Sequence, residues 1–248
     1  MSQLSKKVVL LLVEGDCEET LLFKRLQELF RQHDIRFGVE HGDMLYNIKN
    51  QRKSAKSIVG EKIKDFLKTY KLKESDLLSV LHLVDIDGIF LSNDRIVVDS
   101  GILQQTVYER EKILVKNEKQ KERIQARNEK RGSRMKEMCR TRTILPAKIH
   151  YQMYFFSGNL EHVLFDELNP EQDEKITAIE DFMDQLDGPI EQYLQLFMSL
   201  PDLEEKEYKE LYELTWGTVI DNESEILRLT NVPLLFTFID LELKESSS

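Results

Sequence analysis

The 248-residue sequence is poor in cysteine, proline and glycine, with two, five and ten of each. The cysteines, Cys17 and Cys139, are far apart and in unlike contexts. They can build neither a disulfide framework nor a four-ligand zinc site, and reduced thiols in a cytosolic protein are the simple reading. So few prolines and glycines exclude collagen-like and low-complexity classes. Hydrophobic residues, at 41%, are numerous enough for a folded core. Long apolar runs are missing too. Val8-Val9-Leu10-Leu11-Leu12-Val13 is six residues long, follows Lys6 and Lys7, and ends in Glu14-Gly15-Asp16. It is too short for a signal h-region, and no window approaches the ~20 apolar residues of a membrane span. A soluble, cytoplasmic chain with no membrane association is expected.

Positive charge is also in deficit. There are 35 Lys and Arg against 45 Asp and Glu, a net −10 that taken whole argues against a polyanion binder. The deficit is not evenly spread. Residues 1–158 carry 30 basic and 22 acidic side chains, a balance of +8, whereas residues 159–248 carry 5 and 23, a balance of −18. A bipolar chain of this kind offers a basic face to a polyanion and an acidic part able to shield it or dock elsewhere.

The hydrophobic pattern gives an order of elements. The Val8–Val13 run reads as a strand buried on both faces, as in parallel sheets. Leu21, Leu22, Leu26, Leu29 and Phe30 recur at helical spacing, and a short extended piece follows near Arg36–Val39. Residues 43–56, with Lys49, Arg52, Lys53 and Lys56, read as a basic loop. Ile58, Ile63, Phe66, Leu67 and Tyr70 predict a second helix. Leu77–Val84 is a second buried strand ending in Asp85-Ile86-Asp87-Gly88, and residues 89–98 read as a small hairpin or strand pair. Residues 108–142, with 13 Lys/Arg and 6 Asp/Glu, predict a long, exposed, basic helix or helical pair. Lys148–Phe156 is a third strand, turned at Ser157-Gly158-Asn159 into a helix. The acidic remainder is mainly helical, with Ile179, Phe182, Tyr193, Phe197, Tyr212 and Trp216 on buried faces. Strand alternating with helix predicts an α/β fold around a mostly parallel sheet. The acidic helices either pack on it or form an appended bundle.

Carboxylates gather just beyond the C-terminal ends of these strands, where open α/β sheets bind ligands. They are Glu14, Asp16 and Glu18; Asp85 and Asp87; and, more weakly, Asn159 and Glu161. If both stay extended, Asp85 and Asp87 share one face and repel unless a cation lies between them. Hard oxygen donors suit Mg²⁺ or Mn²⁺, with Glu14 completing the set or moving a proton in phosphoryl transfer. Gly15 permits a tight turn into a helix whose N-terminus would face a phosphate. Singly, each feature has an ordinary structural account. Asp16 reads as a cap or helix-dipole partner, Asp-Ile-Asp-Gly as a turn, His82 as a core histidine, and Tyr154, Phe155 and Phe156 as core residues rather than base-stacking platforms. Met135 and Met138 mark a candidate contact patch. Cys17 lacks the placed histidine partner that a nucleophilic thiol requires.

Val13-Glu14-Gly15-Asp16-Cys17-Glu18 before a helix, and Val84-Asp85-Ile86-Asp87 after a later strand, resemble the two signatures of the Toprim (topoisomerase–primase) domain. The closer likeness, over residues 7–168, is to RloB-like and OLD-family small Toprim nucleases of bacterial defence. Their first signature, Glu-Gly-x-x-Glu, is Glu14, Gly15 and Glu18 here. Ser157-Gly158-Asn159-Leu160-Glu161 resembles their later segment but lacks its proline and aromatic residue. The resemblance implies a Toprim-like domain at 1–168 with a basic helical insertion at 108–142, followed by an acidic helical region at 169–248. It implies a Mg²⁺-dependent (or Mn²⁺-dependent) nuclease for DNA or RNA acting in antiviral defence, in which Glu14, Asp85 and Asp87 are catalytic and Glu14, Glu18, Asp85 and Asp87 hold the metal. A homodimer is expected on the same ground. Lys119, Lys121, Arg123, Arg127, Lys130, Arg131 and Arg134 are the candidate phosphate contacts. Two rivals stand beside this reading. One is a non-catalytic Toprim-like subunit that binds a separate ATPase or sensor protein, since this chain has no Gly-x-x-x-x-Gly-Lys loop of its own. The other is a primase-like nucleotidyl transferase.

Overall fold

The computed structural model describes residues 7–31, 35–42, 44–46, 53–171, 175–198 and 206–246. Its main sheet has the order β2-β1-β3-β8-β7: β1 (Val8–Val13), β2 (Arg36–His41), β3 (Leu77–Asp85), β8 (Ile149–Phe156) and the short β7 (Thr143–Ile144). The first four of these strands are mutually parallel, and β7 alone runs antiparallel. β1 is buried throughout and β3 nearly so, as unbroken aliphatic runs require when helices cover both faces.

α1 (Asp16–Arg31) and α2 (Ala55–Thr69) are the expected amphipathic helices. Ser54 caps α2 by accepting from Ser57 N–H at 3.2 Å, so Lys56 is helical rather than in a loop. Lys49 and Arg52 lie outside the described residues. From β1 the chain moves one way through α1 to β2, then returns through α2 to β3 on β1's other side. The order therefore reverses between β1 and β3. A crevice opens outside their carboxyl ends at such a reversal, and ligands of open α/β sheets bind there.

Residues 89–98 do not form a hairpin. A turn and a single 3₁₀ turn lead into β4 (Ile96–Val98), which joins β5 (Thr106–Tyr108) and β6 (Ile113–Val115) in a second sheet ordered β4-β6-β5, with β4 parallel to β6. One long helix follows, α3 (Glu118–Met138), started by Asn117, whose side chain accepts from Gln120 N–H at 2.9 Å.

Beyond β8 come α4 (Leu160–Phe165), α5 (Lys175–Gln185), α6 (Ile190–Gln195), α7 (Tyr208–Asp221) and α8 (Pro233–Ser246). They pack on the sheet rather than forming a separate bundle. Ile179, Leu194, Tyr212, Trp216 and Leu235 share one hydrophobic core with the strands. Arg25 of α1 grips Glu191 of α6 at 2.5 Å. No described helix is long and apolar enough to cross a membrane.

Candidate active site at the carboxyl edge of the sheet

Glu14 leaves the end of β1, and α1 begins two residues later. Glu18, on the third residue of α1, folds back to accept from Gly15 N–H at 3.1 Å, which is half of a capping box. Glu18 is thus the capping acid, while Asp16 lies in the same first turn, where its charge suits the helix N-terminus. Its side chain is only 5% exposed. Burial, with Glu161 adding its charge, pushes Glu18 up to about 7, against the opposing pull of the Gly15 N–H. Glu161 is itself buried on α4, which Asn159 caps by accepting from His162 N–H at 2.7 Å; Lys175 reaches Glu161 at 3.3 Å. The same pocket raises the Cys17 thiol to about 12, by burial first and then by Glu161, so Cys17 is no thiolate nucleophile.

Asp85 ends β3 opposite Phe156. Its Oδ1 is buried without a hydrogen-bond partner. Burial, then the charges of Glu18, Glu14, Asp87 and Glu161, hold its carboxyl well above the usual range. Asp87 does not continue the strand. The Asp87 N–H donates to the Gly158 carbonyl at 2.9 Å, and Asp87 and Gly88 then take φ of +50° and +62°. Two successive left-handed residues suit an Asp-Gly pair. The expectation that both aspartates point to one extended face therefore fails. Asp85 is sunk in the crevice, while the Asp87 carboxylate is turned towards α3.

α3 is not an exposed arm. It lies across this edge with Ile124, Asn128, Arg131, Gly132, Arg134, Met135 and Met138 buried. Gly132 permits the approach, since a Cβ there would stand 3.1 Å from Ile89 Cγ2. Arg131, 2% exposed, puts its guanidinium among the acids. Nη1 donates to Asp87 Oδ2 at 3.2 Å, and Nη2 donates to the Asp85 carbonyl at 2.9 Å and, in a very short contact, to Glu14 Oε1. Arg134 donates to the carbonyls of Leu45 at 2.6 Å and Lys53 at 3.3 Å. Both were expected to meet a phosphate backbone, and their burial in contacts within the chain removes them from that surface. Arg127, half-buried, donates to the Asp87 carbonyl at 3.3 Å and the Tyr108 hydroxyl at 2.9 Å. Lys119 and Arg123 are exposed, and Lys121 and Lys130 half-buried. Met135 and Met138 are core residues, not a contact patch.

Glu14, Glu18, Asp85 and Asp87 thus meet at one edge, but no three of their carboxylates close to 4.8 Å of one another. Among the described residues the group that does so is Asp16, Glu19 and His41, on the neighbouring corner of α1 and β2. His41 there contacts Glu19 at 2.7 Å and Asp16 at 3.1 Å. Sequence spacing gave no sign of that pairing, because parallel register alone carries His41 level with Val13.

No family model, curated protein or solved structure matches this chain.

The donors themselves decide what the edge can hold. Mg²⁺ binds through one or two carboxylates and fills its remaining positions with water and phosphate oxygen. The orphaned oxygen of Asp85, among hard carboxylate donors and with the neighbouring Cys17 held as a thiol, fits such an ion without a closed cage of three carboxylates. Elsewhere the ordinary readings hold. His82 is fully buried and shares a 2.7 Å hydrogen bond with the Tyr151 hydroxyl, and Tyr154, Phe155 and Phe156 are core residues with no face for a base.

Proposed function

We propose that this edge is the active centre of a Toprim-like nuclease that hydrolyses phosphodiester bonds of DNA or RNA with Mg²⁺ or Mn²⁺. The observation that carries the reading is the half-buried Asp85, whose Oδ1 is buried without a partner, set beside Glu14 and Glu18 where the strand order reverses. Asp85 and Glu14 would hold the ion, with Glu18 behind them. The bound ion would supply Lewis-acid polarisation of the phosphate and a more acidic water. The chain's own groups do the remainder. Burial pushes Glu18 up to about 7, so it can move a proton near neutrality, and burial holds Asp85 above the ordinary carboxylate range. The exposed Lys119 and Arg123 and the partly exposed Lys121, Arg127 and Lys130 would track the phosphate backbone. The +8 balance of residues 1–158 fits that partner. A homodimer and a role in antiviral defence go with this reading.

A second reading has its own observation. Arg131 already neutralises Glu14 and Asp87, as it would in a non-catalytic module that works through a partner ATPase or sensor. Plasmid and tRNA incubated with Mg²⁺ or Mn²⁺ separate the two. Cleavage is expected, falling by at least ~100-fold in Glu14→Gln and Asp85→Asn. Cleavage that survives both substitutions would remove the site, and no cleavage of either substrate by the folded protein would favour the module.

A further inference from the structure

Arg131 stands where a cation belongs, and this inference rests on the metal-dependent reading above. Two carboxylates repel unless a positive charge lies between them, and here that charge comes from the chain. Arg131 Nη1 meets Asp87, Nη2 meets Glu14, and the same Nη2 meets the Asp85 carbonyl. A buried guanidinium held in this forked manner is not a casual surface pair. Its neighbours on α3 fix it from both sides. Arg127 donates to the Asp87 carbonyl, Asn128 approaches the Gly88 carbonyl at 3.5 Å, and Arg134 is tied to Leu45 and Lys53.

We propose that Arg131 is an intramolecular counter-ion that competes with the divalent cation, so that α3 holds the carboxylate edge in a closed, metal-poor state and must shift for the ion to bind. Glu14 is Arg131's partner here and a ligand of the ion in the reading above, and its carboxylate cannot serve the guanidinium and Mg²⁺ at once. The pairing that neutralises the acids in the closed state is the one the metal must break. The lock thus regulates the proposed site and supplies none of its chemistry. An outward shift of α3 would also carry its exposed basic face, the surface proposed for phosphate contact, so substrate engagement and unlocking would involve one element.

The test is Mn²⁺ and Mg²⁺ binding to the full chain by calorimetry and by the Mn²⁺ paramagnetic resonance signal, with no activity required. Arg131→Met is expected to bind Mn²⁺ about tenfold or more tightly than the unsubstituted protein. Arg127→Met is the control for simple loss of nearby positive charge, since Arg127 donates to the Asp87 carbonyl, Tyr108 and Asn128 but to no carboxylate. It should change affinity by less than about threefold. Equal tightening in the two variants would overturn the lock in favour of a general field effect. Equal binding by the unsubstituted protein and Arg131→Met, abolished by Asp85→Asn, would overturn the lock and leave the metal site standing. No binding by either folded protein at millimolar metal would overturn both. If Arg131→Met does not fold, Arg131→Lys replaces it, because one ammonium cannot fork between two acids, and it too should bind more tightly. Hydrogen exchange gives an independent readout: saturating Mn²⁺ should speed exchange of amides 127–135 in the unsubstituted protein, and unchanged protection would overturn the proposal.

Discussion

His82 shows how a single residue couples this core to pH. It lies on β3 among aliphatic neighbours, and its one polar contact is the Tyr151 hydroxyl. Burial, reinforced by the positive charge of Arg131, lowers its pKa to about 3. The unfolded chain takes up a proton near pH 6.5 and the folded chain does not, so the unfolded state binds more protons between those values. Stability from this residue is therefore full above about pH 6.5 and falls as pH drops towards 3. At pH 4 the loss is about 3 kcal/mol. His82→Gln keeps a hydrogen-bonding group without a charge to acquire. It should be less stable than the unsubstituted protein at pH 8 but lose less between pH 6.5 and 4, as read by urea unfolding across that range. Parallel pH profiles for the two proteins would show that His82 carries no such load.

At the scale of elements, α3 was legible as a long basic helix but not in its bounds or its place: the stretch 108–142 expected to be helical also holds β6 and the end of β5, and the helix runs only Glu118–Met138. Thirteen Lys and Arg between 108 and 142 read as a solvated face because sequence shows how many charges a helix has, not which of them meet acids far away in the chain. Arg131 and Glu14 are 117 positions apart, and only the crossing of α3 over the sheet edge joins them. The strands were easier, since continuous Val and Leu runs have few alternatives to a sheet covered on both faces. The acids at their ends followed from that. The turn at Asp87 was one of two readings of Asp-Ile-Asp-Gly, since Asp-x-Asp is compatible with either extended or left-handed backbone. Packing of α3 makes its own prediction. Met135, one turn beyond Arg131, is fully buried, whereas Ser133 is exposed. Met135→Ala should cost about 2–5 kcal/mol by leaving a cavity. Ser133→Ala should stay within about 0.5 kcal/mol. A methionine variant as stable as the serine one, by thermal or urea melting, would mean that α3 is the loose arm its composition suggests.

Across the whole molecule, the acidic surplus and the fold do not divide at the same place. Residues 159–248 carry the −18 balance, yet their apolar and polar side chains complete the sheet. β7 covers only the first residues of β8, which leaves the upper half of that strand with an open edge. An open edge leaves backbone N–H and C=O groups to be satisfied. Here side chains from the acidic region do it. Tyr212 accepts from Met153 N–H at 3.2 Å and donates to its carbonyl at 2.8 Å, and Trp216 Nε1 donates to the same carbonyl at 3.1 Å. Asn231 accepts from Phe155 N–H at 2.9 Å, and Thr230 donates to the Phe155 carbonyl at 2.6 Å. Trp216 also packs against Phe155, ring centres 4.6 Å apart. Most of the described acids of this region face outward, Glu161 and Glu242 excepted, while its inner face serves as β8's missing neighbour. Residues 1–205 alone would expose both the edge and the aromatic face, at a cost well beyond the ~5–15 kcal/mol that stabilises an ordinary domain. That truncated chain should show no cooperative melt and should bind a hydrophobic dye, whereas the full chain melts in one transition. A cooperative melt for 1–205 would restore the acidic region to the status of an appendage, and metal binding by that fragment would then show that the carboxylate edge is built without it.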